Sequence, residues 1–172
     1  PIQLARKRAA TFWNRKIVMV STPTNKGASR IEDAFEQSDQ RHYHVPCKHC
    51  ETYRPLRWAN VQWTDNDPET ASYSCTHCGA LWSDAERRWA IRNGQWIAAK
   101  PFNGVAGFAI NGLYSPWTPV SDGVRDFLSV RKNPEQLRVW TNTYLGETFE
   151  DAGETIDELS LSDRREEYAD LV

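Results

Sequence analysis

Two short cysteine pairs constrain the fold of this 172-residue chain more than any other feature. Cys47 and Cys50 form one Cys-x-x-Cys pair, Cys75 and Cys78 form the other, and residues 51–74 separate them. A Cys-x-x-Cys turn directs two thiolates to one point, and a β-hairpin can bring a second such turn alongside the first. Because zinc readily accepts four thiolates in a tetrahedron, the pattern predicts one structural zinc site formed by all four residues.

Three other kinds of chemistry use the same residues. Two disulfides would satisfy four cysteines, but no secretory signal indicates an oxidising compartment. A redox-active Cys-x-x-Cys needs no second pair, whereas an iron–sulfur site also binds four thiolates and stays open at this point. His49 and His77 lie inside the two turns, and we expect both to face solvent because four thiolates already complete a tetrahedron.

The composition is that of an ordinary globular protein. Hydrophobic residues make up 40% and charged residues 26% of the sequence. No apolar run approaches about 18 residues, so we expect no membrane-spanning helix. Eight tryptophans are spread along the chain, which predicts several small cores rather than one stacking surface. The first residue is Pro1 rather than Met, and we expect the chain to be a piece of a longer protein.

The net charge of −2 conceals an asymmetry along the chain. Residues 147–172 hold ten acids and two bases, whereas the remainder holds 19 bases and 13 acids. The acidic stretch has few apolar residues to bury, so we expect a mobile linker over residues 147–160 and a short helix over residues 162–168. A mildly basic body with an acidic tail permits contact with nucleic acid but does not establish it.

The first 39 residues predict a basic helix over residues 2–12 and then a strand. The segment Lys16–Val20 is largely apolar without alternation, which predicts a strand buried on both faces in a mostly parallel sheet. Ser21, Thr22 and Thr24 follow around a proline, at the carboxyl end where open α/β sheets bind ligands.

Helix signals of two kinds appear further along the chain. The sequence Ser-x-x-Glu at residues 29–32, and again at residues 83–86, predicts a capping box at the start of a helix. Another helix is expected over residues 120–130, and Asn133-Pro134 predicts the start of the next, which Gly146 ends. Strands are expected to lead into both cysteine turns.

Several stretches carry a further signal, and they lie in one order along nearly the whole chain: Arg15–Thr24, Ser29–Glu32, Tyr43–Cys47, Trp140–Thr143 and Gly146–Thr148. Together they resemble the lambda-type large terminase subunit of tailed phages. That resemblance implies a motor that packages double-stranded DNA into a procapsid and cuts it, with an ATPase domain followed by an endonuclease domain.

The resemblance also implies roles for individual residues. Ser21, Thr22 and Thr24 would form the turn that couples ATP hydrolysis to DNA movement. The P-loop and Walker B acids would precede Pro1 and the nuclease carboxylates would follow Val172, so the chain alone is expected to be inactive. The full-length protein would use ATP and Mg²⁺ in the cytoplasm of the bacterial host. Its partners would be double-stranded DNA, the small terminase subunit, the portal or procapsid, and further copies of itself, with no membrane.

The expected fold class is therefore mixed, or α+β. Residues 1–39 would end a P-loop ATPase α/β sheet, 40–100 would be an inserted zinc-ribbon β-unit, 101–146 a helical return to the ATPase domain, and 147–172 an acidic linker toward the nuclease. An alternative remains, in which the chain is a stand-alone zinc-ribbon module that binds nucleic acid or docks a protein without enzymatic activity. A P-loop encoded upstream of Pro1 would distinguish the motor from the module.

Overall fold

A computed structural model describes residues 2–150 of the chain, and it confirms the mixed α/β class. The helices are α1 (Ile2–Arg8), α2 (Arg30–Glu36), α3 (Asp84–Arg92), α4 (Val120–Val130) and α5 (Pro134–Trp140), and a π-helical turn (Thr141–Leu145) continues α5. The strands are β1 (Arg41–Pro46), β2 (Tyr53–Pro55), β3 (Val61–Thr64), β4 (Asp67–Ser74), β5 (Leu81–Trp82), β6 (Gln95–Ala98) and β7 (Phe108–Ala109). No described helix has the length and apolar character that crossing a membrane requires. The helix expected over residues 162–168 lies outside the described residues.

The strands form two small sheets. In the first, β1 lies between antiparallel β6 on one edge and antiparallel β2 with a short parallel β7 on the other. In the second, β4 lies between β3 and β5, and both pairings are antiparallel. The first cysteine pair joins β1 to β2, and the second joins β4 to β5. Strands lead into both cysteine turns, as the sequence predicts, and each of the two sheets contributes one turn.

The local start signals of two helices are confirmed and that of a third is wrong. Ser83 and Glu86 form the predicted capping box, and the side chain of Asn133 accepts from the first amides of α5. Helix α2 begins where predicted, but Ser29 makes no side-chain cap. Its hydroxyl instead accepts a hydrogen bond from the amide of Thr24, so a contact with the preceding loop replaces the capping box.

An aromatic cluster joins the second sheet to the carboxyl-terminal helices. Its ring centroids lie 4.9 to 5.9 Å from those of their neighbours, and its members are Trp58, Trp63, Phe127, Trp140 and Tyr144. Three of these rings, Trp58, Trp63 and Tyr144, pack against the buried core that contains Cys47 and Cys75. Other tryptophans pack elsewhere, Trp82 against Tyr73 and Trp96 against Tyr43, so the described tryptophans form no single stacking surface. Sequence spacing does not show which distant rings meet.

The strand predicted at Lys16–Val20 is absent from the described chain. Val18 is 82% exposed and Val20 is 90% exposed, and no described segment pairs with them. An open groove of about 1940 Å³ runs beneath this extended segment. A run of β-branched residues favours a buried strand only where neighbouring strands satisfy its backbone, and residues 2–150 supply none here.

Candidate functional sites: the four-cysteine centre and the Ser21–Thr24 turn

The two cysteine turns repeat one backbone conformation. The amide of Glu51 donates to the carbonyl of Cys47 at 2.8 Å, and the amide of Gly79 donates to that of Cys75 at 2.9 Å. Both closing residues are left-handed, with φ of 57° at Glu51 and 74° at Gly79. Glycine adopts this conformation without strain, whereas glutamate rarely does. Glu51 and Gly79 occupy equivalent positions in the two turns. The glycine at position 79 could therefore have indicated that Glu51 is also left-handed.

Backbone hydrogen bonds hold the cysteines in place within these turns. The amide of Cys47 donates to the carbonyl of Thr52, and the amide of Cys75 donates to that of Ala80, at 3.1 and 2.9 Å. The amide two residues after each of these cysteines donates to its sulfur, at 3.4 and 3.5 Å. These bonds hold the two sulfur atoms in fixed positions within their turns.

The four sulfur atoms form a compact group. They all lie within 4.8 Å of one another, with 3.8 Å between Cys47 and Cys78 and 3.9 Å between Cys50 and Cys75. A tetrahedral zinc with Zn–S bonds of about 2.3 Å requires sulfur separations of about 3.8 Å. A disulfide requires about 2.05 Å, and the cysteines are free thiols. The donor set and its spacing therefore fit one four-coordinate ion.

The pKa values of Cys50 and Cys78 are shifted in opposite directions. Hydrogen bonds at the backbone and hydroxyl of Thr52 lower the pKa of Cys50 to about 6. The amide of Ala80 lowers the pKa of Cys78, but burial and the neighbouring sulfurs outweigh it and raise the value to about 12. A divalent cation at the centre would displace the protons that remain, because bound thiols ionise.

His49 lies in the first cysteine turn but is not one of the four potential ligands. Its Nε2 atom is 3.2 Å from Oε1 of Glu86, and its side chain is 46% exposed. Glu86 belongs to the capping box of α3, so the histidine is oriented toward that helix. Among the described residues, the four-cysteine group is the one cluster of potential metal ligands, and no histidine belongs to it.

Arg87 is a residue that the sequence analysis missed. It is 1% exposed, and its guanidinium donates to three backbone carbonyls of one loop, those of Leu113, Ser115 and Thr118. Its Nε atom also donates to Asp84 at 3.0 Å. An arginine at a helical position normally predicts an exposed side chain, so no signal in the sequence indicated this burial.

The polar turn at Ser21–Thr24 is exposed and lightly bonded. The hydroxyl of Ser21 donates to the carbonyl of Thr22 at 2.9 Å. Within residues 2–150, the hydroxyls of Thr22 and Thr24 make no hydrogen bond. These two hydroxyl groups are therefore available to a ligand or to another part of a longer protein.

The backbone of Thr24, in contrast, is fully bonded. Its amide donates to the buried Ser29 hydroxyl at 3.2 Å. Its carbonyl accepts from the Asn142 side chain at 3.0 Å and from the Phe149 amide at 3.1 Å. The structure thus brings together two stretches that the sequence analysis recorded separately, the polar turn and the Trp140–Thr148 region.

Residues 147–150 pack beside the turn, where the sequence predicts the start of a mobile linker. Asn25 and Phe149 form a parallel bridge, and the Lys26 amide donates to the Phe149 carbonyl at 3.1 Å. The hydroxyl of Thr148 donates to Glu32 at 2.8 Å, and Lys26 pairs with Glu150. The rest of the predicted linker lies outside the described residues.

Comparison with known proteins places the chain in a family. Residues 1–96 match the model of the phage terminase large subunit gpA ATPase domain, and residues 105–172 match that of the terminase large subunit gpA endonuclease domain. The first match covers more than half of the chain, which therefore belongs to the lambda-type phage terminase large subunit family. No solved structure matches it.

Two curated relatives agree with this family. The chain is 31% identical to the terminase large subunit of Enterobacteria phage P21, over 100% of the chain and 31% of the relative. It is 27% identical to the terminase large subunit of Escherichia phage lambda, over 98% of the chain and 30% of the relative. The chain thus spans less than a third of the length of either protein. The boundaries predicted at residues 39, 100 and 146 stay predictions.

Proposed function

We propose that this chain is the part of a terminase large subunit in which the ATPase half meets the endonuclease half, within a motor that packages double-stranded DNA into procapsids and cuts it. The order of the two family matches, residues 1–96 and then 105–172, carries this proposal. In this account the chain contributes a turn that couples ATP hydrolysis to DNA movement and a structural zinc ribbon. The family match favours the motor over a stand-alone zinc-ribbon module.

Zinc is the ion that we propose for the four-cysteine centre. The sulfur separations and the amide-to-sulfur hydrogen bonds support it. Four thiolates leave no coordination position open to a substrate, so the ion would stabilise the fold and would take no part in catalysis. Its ligands would be Cys47, Cys50, Cys75 and Cys78.

Ser21, Thr22 and Thr24 are proposed as the coupling turn. A hydroxyl is short and uncharged, and it both donates and accepts, so it can respond to the presence of a γ-phosphate or an attacking water. It cannot supply the Mg²⁺ ligands, the base or the phosphate-binding amides that phosphoryl transfer requires. We therefore propose that the turn senses the nucleotide state, while other parts of the full-length protein bind ATP and Mg²⁺.

The proposed partners follow from the same family. They are double-stranded DNA, the small terminase subunit, the portal or procapsid, and further copies of the large subunit, in the cytoplasm of the bacterial host. The chain outside residues 147–172 carries more bases than acids, but its bases are dispersed. We expect the isolated chain to bind duplex DNA weakly, without sequence preference and with strong sensitivity to salt.

A comparison of ATP hydrolysis tests this function. The full-length protein and the 172-residue chain are assayed with and without double-stranded DNA. We expect the full-length protein to hydrolyse ATP faster when DNA is added, and the chain alone to hydrolyse none. Hydrolysis by the chain alone would contradict the proposal that other parts of the full-length protein bind ATP and Mg²⁺. A full-length protein that binds DNA but never hydrolyses ATP would favour the zinc-ribbon module.

A further inference from the structure

The side chain of Asn142 connects two distant stretches of backbone. Its Nδ2 atom donates to the carbonyl of Thr24 at 3.0 Å and to the carbonyl of Glu147 at 2.9 Å. A carboxamide nitrogen carries two hydrogens, so both are used in this bridge. Asn142 lies in the π-helical turn that continues α5, and such turns are frequent at functional sites.

The bridge leaves the Thr24 backbone no spare bonding capacity. Its carbonyl oxygen accepts from both Asn142 and the Phe149 amide, which fills its two lone pairs. The Thr24 amide is held by the buried hydroxyl of Ser29. A shift of the turn at Thr24 must therefore move the segment containing Phe149 or break these hydrogen bonds.

The Glu147 end of the bridge is also held in place by its neighbours. Gly146 ends the π-helical turn with φ of 64°, and a side chain there would lie 2.8 Å from the carbonyl oxygen of Ile110. The hydroxyl of Thr148 adds a second connection by donating to Glu32 on α2. The π-helical turn and the residues after it thus have one arrangement against the polar turn.

We infer that Asn142 is a positioning residue that ties the Ser21–Thr24 turn to a segment of the endonuclease half. Thr24 lies in the part that matches the ATPase-domain model, and residues 142–149 lie in the part that matches the endonuclease-domain model. The inference rests on the proposed function, because that function gives the turn its coupling role. Asn142 touches no nucleotide in this account and acts through the backbone of Thr24.

The test compares neighbouring variants of the full-length protein. Asn142→Asp keeps the size of the side chain but removes both N–H donors and places a carboxylate oxygen against two carbonyls. Thr143→Ala is the matched control, because the hydroxyl of Thr143 bonds only to Val139 within the same helical stretch. DNA-dependent ATP hydrolysis and the length of DNA packaged per ATP consumed are measured for each protein.

We expect Asn142→Asp to lower the kcat of DNA-dependent hydrolysis about tenfold and to change the KM for ATP less than about twofold. The DNA packaged per ATP should fall as well, whereas Thr143→Ala should resemble the parent. A smaller folded fraction would also lower the apparent kcat at unchanged KM, so rates are divided by the concentration of protein that binds ATP. The DNA packaged per ATP does not depend on that concentration, and its fall separates lost coupling from lost folding. Thr148→Val, which cuts the second connection and spares the bridge, should change the same quantities in the same direction by a smaller factor.

A double variant tests whether Asn142 acts through the turn. If it does, Thr22→Ala should lower kcat much less in the Asn142→Asp background than in the parent, because the turn is already uncoupled. Independent effects that multiply would overturn the inference, as would Asn142→Asp with the parent's kcat or Thr143→Ala with the same defect. A parent protein without any DNA-dependent hydrolysis would instead overturn the proposed function, and this inference with it.

Discussion

The apolar segment Lys16–Val20 and the more polar strand β1 have opposite surroundings in this protein. Val45 in strand β1 is 1% exposed, whereas Val18 in the amino-terminal segment is 82% exposed. Strand β1 has partners on both edges and leads into a cysteine turn, but no described segment pairs with Lys16–Val20. The difference shows that apolar sequence gives a segment the capacity for burial, while backbone partners and cross-links decide whether burial occurs.

Removal of one cysteine should have the largest effect on the well-packed region. Cys75→Ser should abolish binding of one zinc per chain and remove apparent binding free energy on the order of 10 kcal/mol. Because Trp58 packs against the core that contains Cys75 and also contacts Trp140 of α5, the loss should extend to the carboxyl-terminal helices. Elemental analysis and thermal unfolding followed by tryptophan fluorescence measure both effects.

Thr76→Ser is the control for this experiment, because Thr76 is an exposed residue of the same turn. It should keep the metal and the unfolding midpoint of the parent. A parent protein purified without chelator that contains no stoichiometric metal would contradict the proposed centre, and so would a Cys75→Ser variant with unchanged unfolding.

Arg87→Met should have the next largest effect. The substitution keeps an unbranched side chain but leaves Asp84 and the carbonyls of the 113–118 loop without their shared donor. We expect the free energy of unfolding to fall by about 3–5 kcal/mol, measured by urea denaturation. Arg88→Met, one position along the same helix, should change it by less than about 0.5 kcal/mol. Equal effects of the two variants would show that the guanidinium contacts contribute no net stability.

Tyr114→Phe should have a smaller effect that depends on pH. The Tyr114 hydroxyl accepts from the Leu56 amide and donates to the Tyr43 carbonyl, so its removal should cost about 2–3 kcal/mol at neutral pH. Burial raises the pKa of Tyr114 to about 12, above its unfolded value near 10. The stability of the parent should therefore decline between about pH 10 and 12, because only the unfolded state releases this proton there.

The same alkaline titration provides the check on Tyr114. The variant should lose less stability than the parent between about pH 10 and 12, although Tyr144, whose pKa burial also raises to about 12, keeps part of the decline. Tyr53→Phe serves as the exposed control and should follow the parent. Identical declines in the parent and in Tyr114→Phe would show that Tyr114 ionises equally well in both states.

Val18→Asp should have the smallest effect on the chain itself. Its side chain is almost fully exposed, so the free energy of unfolding should change by less than about 0.5 kcal/mol. In the full-length protein, where we predict that Lys16–Val20 joins a parallel sheet, the same substitution should be strongly destabilising. Equal small effects in both proteins would refute that predicted strand. A large effect in the short chain would show that Val18 is not exposed there.

Features encoded within a few residues were predictable from the sequence. The capping box at Ser83, the start of α5 at Asn133 and the left-handed end at Gly146 all depend on neighbouring residues. The two cysteine turns also follow from short spacing, and the sequence predicts that they meet. These features need no knowledge of distant contacts.

The remaining features depend on partners that lie far away in sequence. The hydroxyl of Ser29 has a capping pattern around it, yet the approach of Thr24 determines its actual bond. The burial of Arg87 depends on carbonyls more than 25 residues away, at sequence separations of 26, 28 and 31. The bridge from Asn142 to Thr24 spans 118 residues. Residue type and periodicity carry no information about such pairings.

The coupling role of the Ser21–Thr24 turn is the central claim, and one paired measurement on the full-length protein tests it most directly. ATP hydrolysis and DNA packaging are measured together for the parent, Thr22→Ala and Thr24→Ala, with ATP binding as the control. The account predicts that ATP binding persists while hydrolysis, packaging or the ratio between them falls. If both rates stay at the level of the parent in both variants, the coupling role of the turn is wrong.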